Sequence, residues 1–273
     1  MDYRKAPNIM KLTALFATEK PIIGMVHLRP LPGSPRFDGN LKEIYAQAEW
    51  EAQALSKAGI DGLIVENLGD EPYLVGEPTP IQFALMAAIT RQIRQSVAIP
   101  VGVNVQFNAW QAELAIAHAC EAEFVRVEVF VDTVVSAQGI VHPCSAQITR
   151  YRKELNASVA LFADIQTKYT TNIISQPLTQ SAIDARNAGA DVLIVTGAAT
   201  GAATPLDAVA ETKSAVDLPV LVGSGTNIQN VGKVLSVADG AIVGSALKEG
   251  RNAENRISTA ETQAFMAAAQ KVR

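Results

Sequence analysis

Val125-Arg126-Val127-Glu128-Val129 places two opposite charges one strand period apart, framed by valines. In an extended chain alternate side chains share a face. If the valines pack on helices, Arg126 and Glu128 therefore point together to the other side. A second alternating stretch sets Phe162, Asp164 and Gln166 on one face, with Lys168 just beyond. Glu66 and Asn67 end another apolar run, Asn104 and Gln106 a further one, and His27 ends the first. Charges on an inward face are costly unless they are paired and hydrogen-bonded. Arg126 can neutralise one carboxylate among Glu66, Glu128 and Asp164, and Lys168 can take another. A carboxyl left short of a partner titrates above its ordinary range, which is how a general acid and a general base are separated. Lys168 could also stabilise a developing oxyanion or attack as an amine. The bland alternative is an ion-pair network that only fills space. A group of such residues from several consecutive runs favours a site.

A different chemistry is suggested by Val222-Gly223-Ser224-Gly225-Thr226-Asn227 and by Val243-Gly244-Ser245-Ala246. Each follows an apolar run and lacks bulky side chains where a backbone would approach something closely. One reading is a strand-to-helix turn that needs glycine torsions, with Asn227 as the cap of the next helix. The other is a cup in which backbone N–H groups converge on an anion, helped by a helix dipole and by the hydroxyls of Ser224 and Ser245. Thr196-Gly197 and the following AATGAAT form a third flexible lip.

The elements that must position these residues are eight short β-branched runs, near 21–28, 62–67, 101–106, 124–130, 159–165, 192–197, 219–225 and 240–247. Segments of helical period lie between them, with a last one at about 254–272. The runs are apolar on both faces, as in a parallel sheet covered on both sides. Eight strands alternating with helices predict a single α/β domain over 1–273, a TIM-type (β/α)8 barrel with eight parallel strands, a lead-in over 1–20 and a closing helix within 251–273. The echo Ala-Gly-Ile-Asp, Ala-Gly-Ala-Asp and Val-Ala-Asp puts Asp61, Asp191 and Asp239 before strands, as turn and capping residues. Glycine pairs at the ends of the seventh and eighth strands fall where this fold recurrently binds phosphate. In that setting the anion cup is the favoured reading of both turns.

The chain has 273 residues, 48% of them hydrophobic and 18% charged, with a net charge of −4. No basic cluster points to nucleic acid. Cys120 and Cys144 match no metal or redox spacing, in keeping with a reducing, cytoplasmic setting. No signal peptide or membrane span is readable in the sequence. His118 falls inside a helical segment and His142 in a loop, and neither pairs with His27 in a metal-ligand pattern, so no metal and no cofactor are expected.

The segments GMVHLRPLPGSP, VENLGDEPY, GVNV, LIVTGAATG, VLVGSGTNIQNV and ADGAIVGSALKEG together resemble the BtpA family over about 21–250. The His-Leu-x-Pro-Leu-Pro-Gly stretch is the most specific of them. The resemblance implies a ribulose-phosphate-binding type of barrel. It also places His27, Glu66, Asn67, Asp70, Asn104, Arg126, Asp164, Lys168, Gly223, Ser224, Gly225, Gly244 and Ser245 at motif positions. Departures gather on the lips of strands three to five: Gln106-Phe107-Asn108-Ala109 where Leu-Arg-Asn-Asp is usual, Arg126-Val127-Glu128 where Arg-Val-Asn is commoner, and Lys168-Tyr169 for Lys-His.

Two functions follow. One is isomerase- or lyase-type acid–base chemistry on a small phosphorylated metabolite, with Glu66, Arg126, Glu128, Asp164 and Lys168 catalytic. In it His27, Asn67, Asn104, Gly223, Ser224, Gly225, Gly244 and Ser245 bind the ligand. The family's namesakes imply the other, a non-catalytic factor for photosystem I biogenesis, peripheral to the thylakoid membrane in a cyanobacterium. A homo-oligomer stays open in both.

Overall fold

Short strands whose alternate residues differ in kind can close into a ring, one set of side chains filling the inside and the other meeting helices. The computed structural model, which describes residues 10–273, shows that ring. Its strands are β1 (Ile22–His27), β2 (Gly62–Glu66), β3 (Val101–Asn104), β4 (Phe124–Val127), β7 (Ala160–Ile165), β9 (Val192–Val195), β10 (Val220–Val222) and β11 (Ala241–Val243). All pair in parallel, in the closed order β1-β11-β10-β9-β7-β4-β3-β2. The helices are α1 (Leu41–Lys57), α2 (Pro80–Ser96), α3 (Trp110–Cys120), α4 (Ser145–Glu154), α5 (Leu178–Asn187), α6 (Leu206–Ala215), α7 (Val231–Val237) and α8 (Thr259–Gln270).

Alternation sorts the core into two. Val125, Val127, Leu161 and Ala163 pack outward with the helices. Phe124, Phe162, Ile194, Leu221 and Ile242 fill the interior. Phe16, from the lead-in, enters the same interior and meets Phe124 and Phe162 edge-on. Its ring sits where a Cβ at Gly62 would be, 2.6 Å away, so the glycine makes room for the plug. On the inner face the next residues towards the strand ends are Arg126, following Phe124, and Asp164, following Phe162. The interior therefore grades from aromatic to ionic along the barrel axis.

The echoed aspartates do what their position suggests. Asp61 accepts from the Ile22 N–H at 2.7 Å, Asp191 from Leu161 at 2.8 Å and Asp239 from Val220 at 2.9 Å. Each satisfies a donor at the start of a neighbouring strand and lies away from the strand ends where the chemistry gathers.

Four departures from the sequence reading matter. The fourth and eighth strands are shorter than the apolar runs: β4 ends at Val127, leaving Glu128 past its end, and β11 ends at Val243 before a short 3-10 turn, Ser245–Leu247. Asn227 does not cap a helix. Its side chain accepts from the N–H groups of Gln229 and Asn230 in a turn, and α7 starts only at Val231. A small antiparallel sheet, β5 (Val134–Ser136), β6 (Gly139–Val141) and β8 (Thr171–Asn172), is built from the loops after β4 and β7. The closing helix also starts late, at Thr259, where Ser258 accepts from the Glu261 N–H.

Candidate active site at the barrel mouth

Arg126 is buried at the upper end of β4. Its Nε and Nη2 donate to the two carboxylate oxygens of Asp164 on β7 at 3.0 and 2.9 Å. Register brings them together: Arg126 lies beside Phe162, and Asp164 is the next inward residue of the neighbouring strand. Thr167 Oγ1 adds a third bond to Asp164 at 3.0 Å. The pair is therefore bidentate and dry, the geometry in which an ion pair inside a protein is tolerated. Glu66, at the end of β2, has no such partner. Burial pushes its carboxyl above the ordinary range, against the pull of Arg126 and Lys168. Burial likewise lowers the Lys168 ammonium, with the Arg126 charge adding to the effect.

Glu66, Arg126 and Lys168 line one small cavity together with His27, Gly223, Ser224, Gly225, Gly244 and Ser245. The cavity has about 40 Å³ of space, room for about three waters. Thr200 and Gly201, from the loop after β9, also line it. Among the described residues the N–H groups of Ser224, Gly225 and Ser245 donate to nothing. The buried hydroxyls of Thr226 and Thr196 also lack a partner. Unpaired donors are rare in a protein interior, and here several gather where two side-chain-poor turns meet.

The glycines divide by role. Gly225 has φ +69, and a Cβ on it would lie 2.3 Å from the Ala202 carbonyl oxygen. Turn geometry and loop packing therefore require glycine at this position. A Cβ on Gly223 would meet Ile194 Cγ2 at 2.5 Å. At Gly244 the nearest atom would be His27 Cε1, at 3.1 Å, so a side chain there enters the cavity. Ser224 is partly engaged: its Oγ accepts from the Gly197 N–H at 2.7 Å, which ties the loop after β9 to the cup.

Four of the expected residues stand outside the cavity lining: Asp164, held by Arg126 and Thr167, and Asn67, Asn104 and Glu128. The Asn67 amide is used within the protein, Oδ1 accepting from the Gln106 N–H at 2.7 Å and Nδ2 donating to Asp70 at 3.0 Å. Asn104 is fully buried, and its Nδ2 donates to Glu128 at 2.7 Å and towards Glu113 at 3.2 Å. Glu128 does not line the cavity. It accepts from Asn104 and, at 3.1 Å, from the Asn108 N–H behind the Arg126–Asp164 pair. Because β4 stops at Val127, the alternation that carries Arg126 inward does not continue to Glu128. Burial pushes Glu128 up to about 7 and Glu113 well above its ordinary range. Glu113 escaped the sequence reading. The signal was there: an acid among Ala112, Leu114, Ile116 and Ala117, on a helix apolar nearly all round. Thr226, inside VGSGTN, was likewise read only as part of a turn.

Among the described residues no group of three or more histidines, cysteines, aspartates or glutamates is placed to hold a metal. No helix among them is long and apolar enough to cross a membrane.

The BtpA family model matches residues 18–271. The chain belongs to the BtpA family. The photosystem I biogenesis protein BtpA of Synechocystis sp. is 38% identical over 261 residues, covering 95% of this chain and 91% of that one. An uncharacterized protein of Archaeoglobus fulgidus is 39% identical over 234 residues, 85% of this chain and 93% of that one. Among solved structures, thiamine phosphate pyrophosphorylase from Pyrococcus furiosus superposes with a TM-score of 0.58 at 17% identity, covering 93% and 96% of the two chains. Phosphoribosyl anthranilate isomerase from Thermus thermophilus gives 0.60 at 11% identity, covering 93% and 100%. At these identities the likeness is one of fold.

Proposed function

We propose that this BtpA-family barrel binds a small phosphorylated metabolite and carries out acid–base chemistry of the isomerase or lyase type on it. The observation that carries the reading is one cavity shared by the two glycine turns and by Glu66, Arg126 and Lys168. The backbone donors of Ser224, Gly225 and Ser245 hold the phosphate, as helix- and loop-borne N–H groups do in this corner of the fold. The organic part then lies over Glu66 and Lys168. A carboxyl pushed up and an ammonium pushed down move towards each other, so one proton passes between substrate and protein near neutral pH. Arg126, held by Asp164, supplies positive charge to an enolate-like oxygen without moving. Both fold neighbours named above act, by their names, on phosphorylated compounds, which agrees with the reading.

The test is a thermal-shift screen of phosphosugars followed by calorimetry on wild type and Gly244→Leu. A ligand that stabilises wild type and fails to bind a folded Gly244→Leu is the expected result. No binding by wild type across a broad phosphorylated panel removes the reading. The second reading, an assembly factor for a membrane complex, is favoured by the Synechocystis relative and by exposed Val135, Ile140, Ile173 and Ile174 on and beside the small sheet. It gains if no phosphorylated ligand binds.

A further inference from the structure

His27 stands at the end of β1, beside Glu66 in the strand register, and lines the same cavity as Gly244 and Ser245. Its Nδ1 lies 3.0 Å from the carbonyl oxygen of Ala253. A carbonyl only accepts, so Nδ1 must carry the hydrogen. What Nε2 then does depends on the charge of the ring. Burial, together with Lys248 from the segment after β11, Lys168 beyond β7 and Arg126 on β4, opposes a second proton and lowers the ring to about 3. Glu66 is the one carboxyl beside it in the cavity, and burial pushes that group towards its neutral form. The ring is neutral, and Nε2 is left with a lone pair. The Cε1–Nε2 edge of the ring borders the phosphate corner: a Cβ on Gly244 would lie 3.1 Å from Cε1 and 3.5 Å from Nε2.

We propose that His27 is a specificity-determining acceptor set among the backbone donors of the anion cavity, and that it selects a phosphoryl group bearing a hydrogen on the oxygen that faces it. The assignment rests on the phosphate-corner reading and deepens it. The backbone N–H groups of Ser224, Gly225 and Ser245 and the cations Arg126 and Lys168 satisfy the charged oxygens. Nε2 has nothing to offer a bare oxyanion, and the two lone pairs repel. An oxygen that carries a hydrogen turns that repulsion into a bond. An acceptor placed among donors therefore distinguishes anions of equal size and charge by whether they hold a proton, since a polar group left unpaired in a closed site is penalised.

Three probes separate the outcomes: inorganic phosphate, sulfate and methyl phosphate, titrated by calorimetry from about pH 6 to about pH 8, a range that reaches past loss of the second proton of a phosphomonoester. Inorganic phosphate keeps a P–OH throughout and sulfate has none. Phosphate is expected to bind at least about tenfold more tightly than sulfate at every pH, the size of one unpaired hydrogen-bonding group. Methyl phosphate is expected to weaken relative to inorganic phosphate as pH rises and its last P–OH ionises. Because Glu66 lines the same cavity, the titrations are repeated in Glu66→Gln, where a phosphate-to-sulfate ratio that persists belongs to His27. In His27→Asn the shorter amide can still donate to Ala253 while the acceptor at the Nε2 position is gone, and the phosphate-to-sulfate ratio is expected to fall to about one. Equal binding of the two anions by wild type, or a ratio unchanged in folded His27→Asn, overturns the His27 assignment alone. Failure of wild type to bind any of the three overturns the phosphate corner with it.

Discussion

At the scale of single residues the barrel mouth is organised by unequal access to partners. Arg126 and Asp164 satisfy each other fully, so each is costly to remove alone. Asp164→Asn is expected to lower unfolding free energy by about 3–5 kcal/mol because it leaves a buried guanidinium uncompensated. Arg126→Met with Asp164→Leu together should recover most of that loss, as measured by denaturant titration, while ligand binding stays absent. A double variant no more stable than Asp164→Asn would mean that the pair itself holds the strands. Glu128 makes a different prediction. Its carboxyl is pushed up to about 7, so between its unfolded range and that value the native state holds a proton the unfolded state has released. Its contribution to stability should then fall as pH rises through this window, with Glu113 and Glu66 acting in the same direction and His27, lowered to about 3, acting oppositely below the ordinary histidine range. The Glu128 share is read as the difference between wild type and Glu128→Gln in denaturation midpoints from about pH 5 to about pH 8, with wild type losing stability relative to the variant as pH rises. A difference that does not change with pH would contradict the assignment.

At the scale of elements the segment between β9 and α6 contributes Thr200 and Gly201 to the cavity lining. Two bonds tie it to the mouth: Ser224 Oγ with the Gly197 N–H, and Tyr169 Oη accepting from the Thr200 N–H at 2.7 Å. Tyr169 is largely exposed, so Tyr169→Phe should change global stability by no more than about 0.5 kcal/mol. It should speed release of a phosphorylated ligand several-fold, which stopped-flow displacement reads directly. Release at the wild-type rate would show that this bond does not gate the site. The small sheet of β5, β6 and β8 is tied down separately, chiefly by Asp132, whose carboxylate accepts from Gln166, Asn172, Gln176 and Ser181.

At the scale of the molecule, a ring needs its end filled as well as its edges joined. Phe16 does this from outside the strand repeat, packing on Phe124 and Phe162 while β1 closes on β11. Phe16→Ala is expected to cost about 3–5 kcal/mol, with phosphate affinity kept because the plug lies at the opposite end from the cavity. A folded variant with little loss of stability would show that the interior closes without it.

The sequence by itself determined the periodic features. Eight buried runs separated by helical segments specify a barrel, because a strand apolar on both faces must be covered on both. The Val-Arg-Val alternation fixed which way Arg126 points, and the glycine pairs marked the corner where two turns meet. The tertiary structure alone decided which charges share a space. Asn67 and Glu128 lie just past the ends of their strands, where alternation no longer fixes a side, and Asn104, still paired with Glu66 in the ladder, has its amide taken up by Glu128 and Glu113. Glu113 reaches the mouth from a helix, and the proton on His27 is placed by a carbonyl 226 positions away in the chain. Periodicity is a local property that repeats within a few residues. Partnership between polar groups is set by loop paths and by distances across the ring, and neither repeats in the sequence.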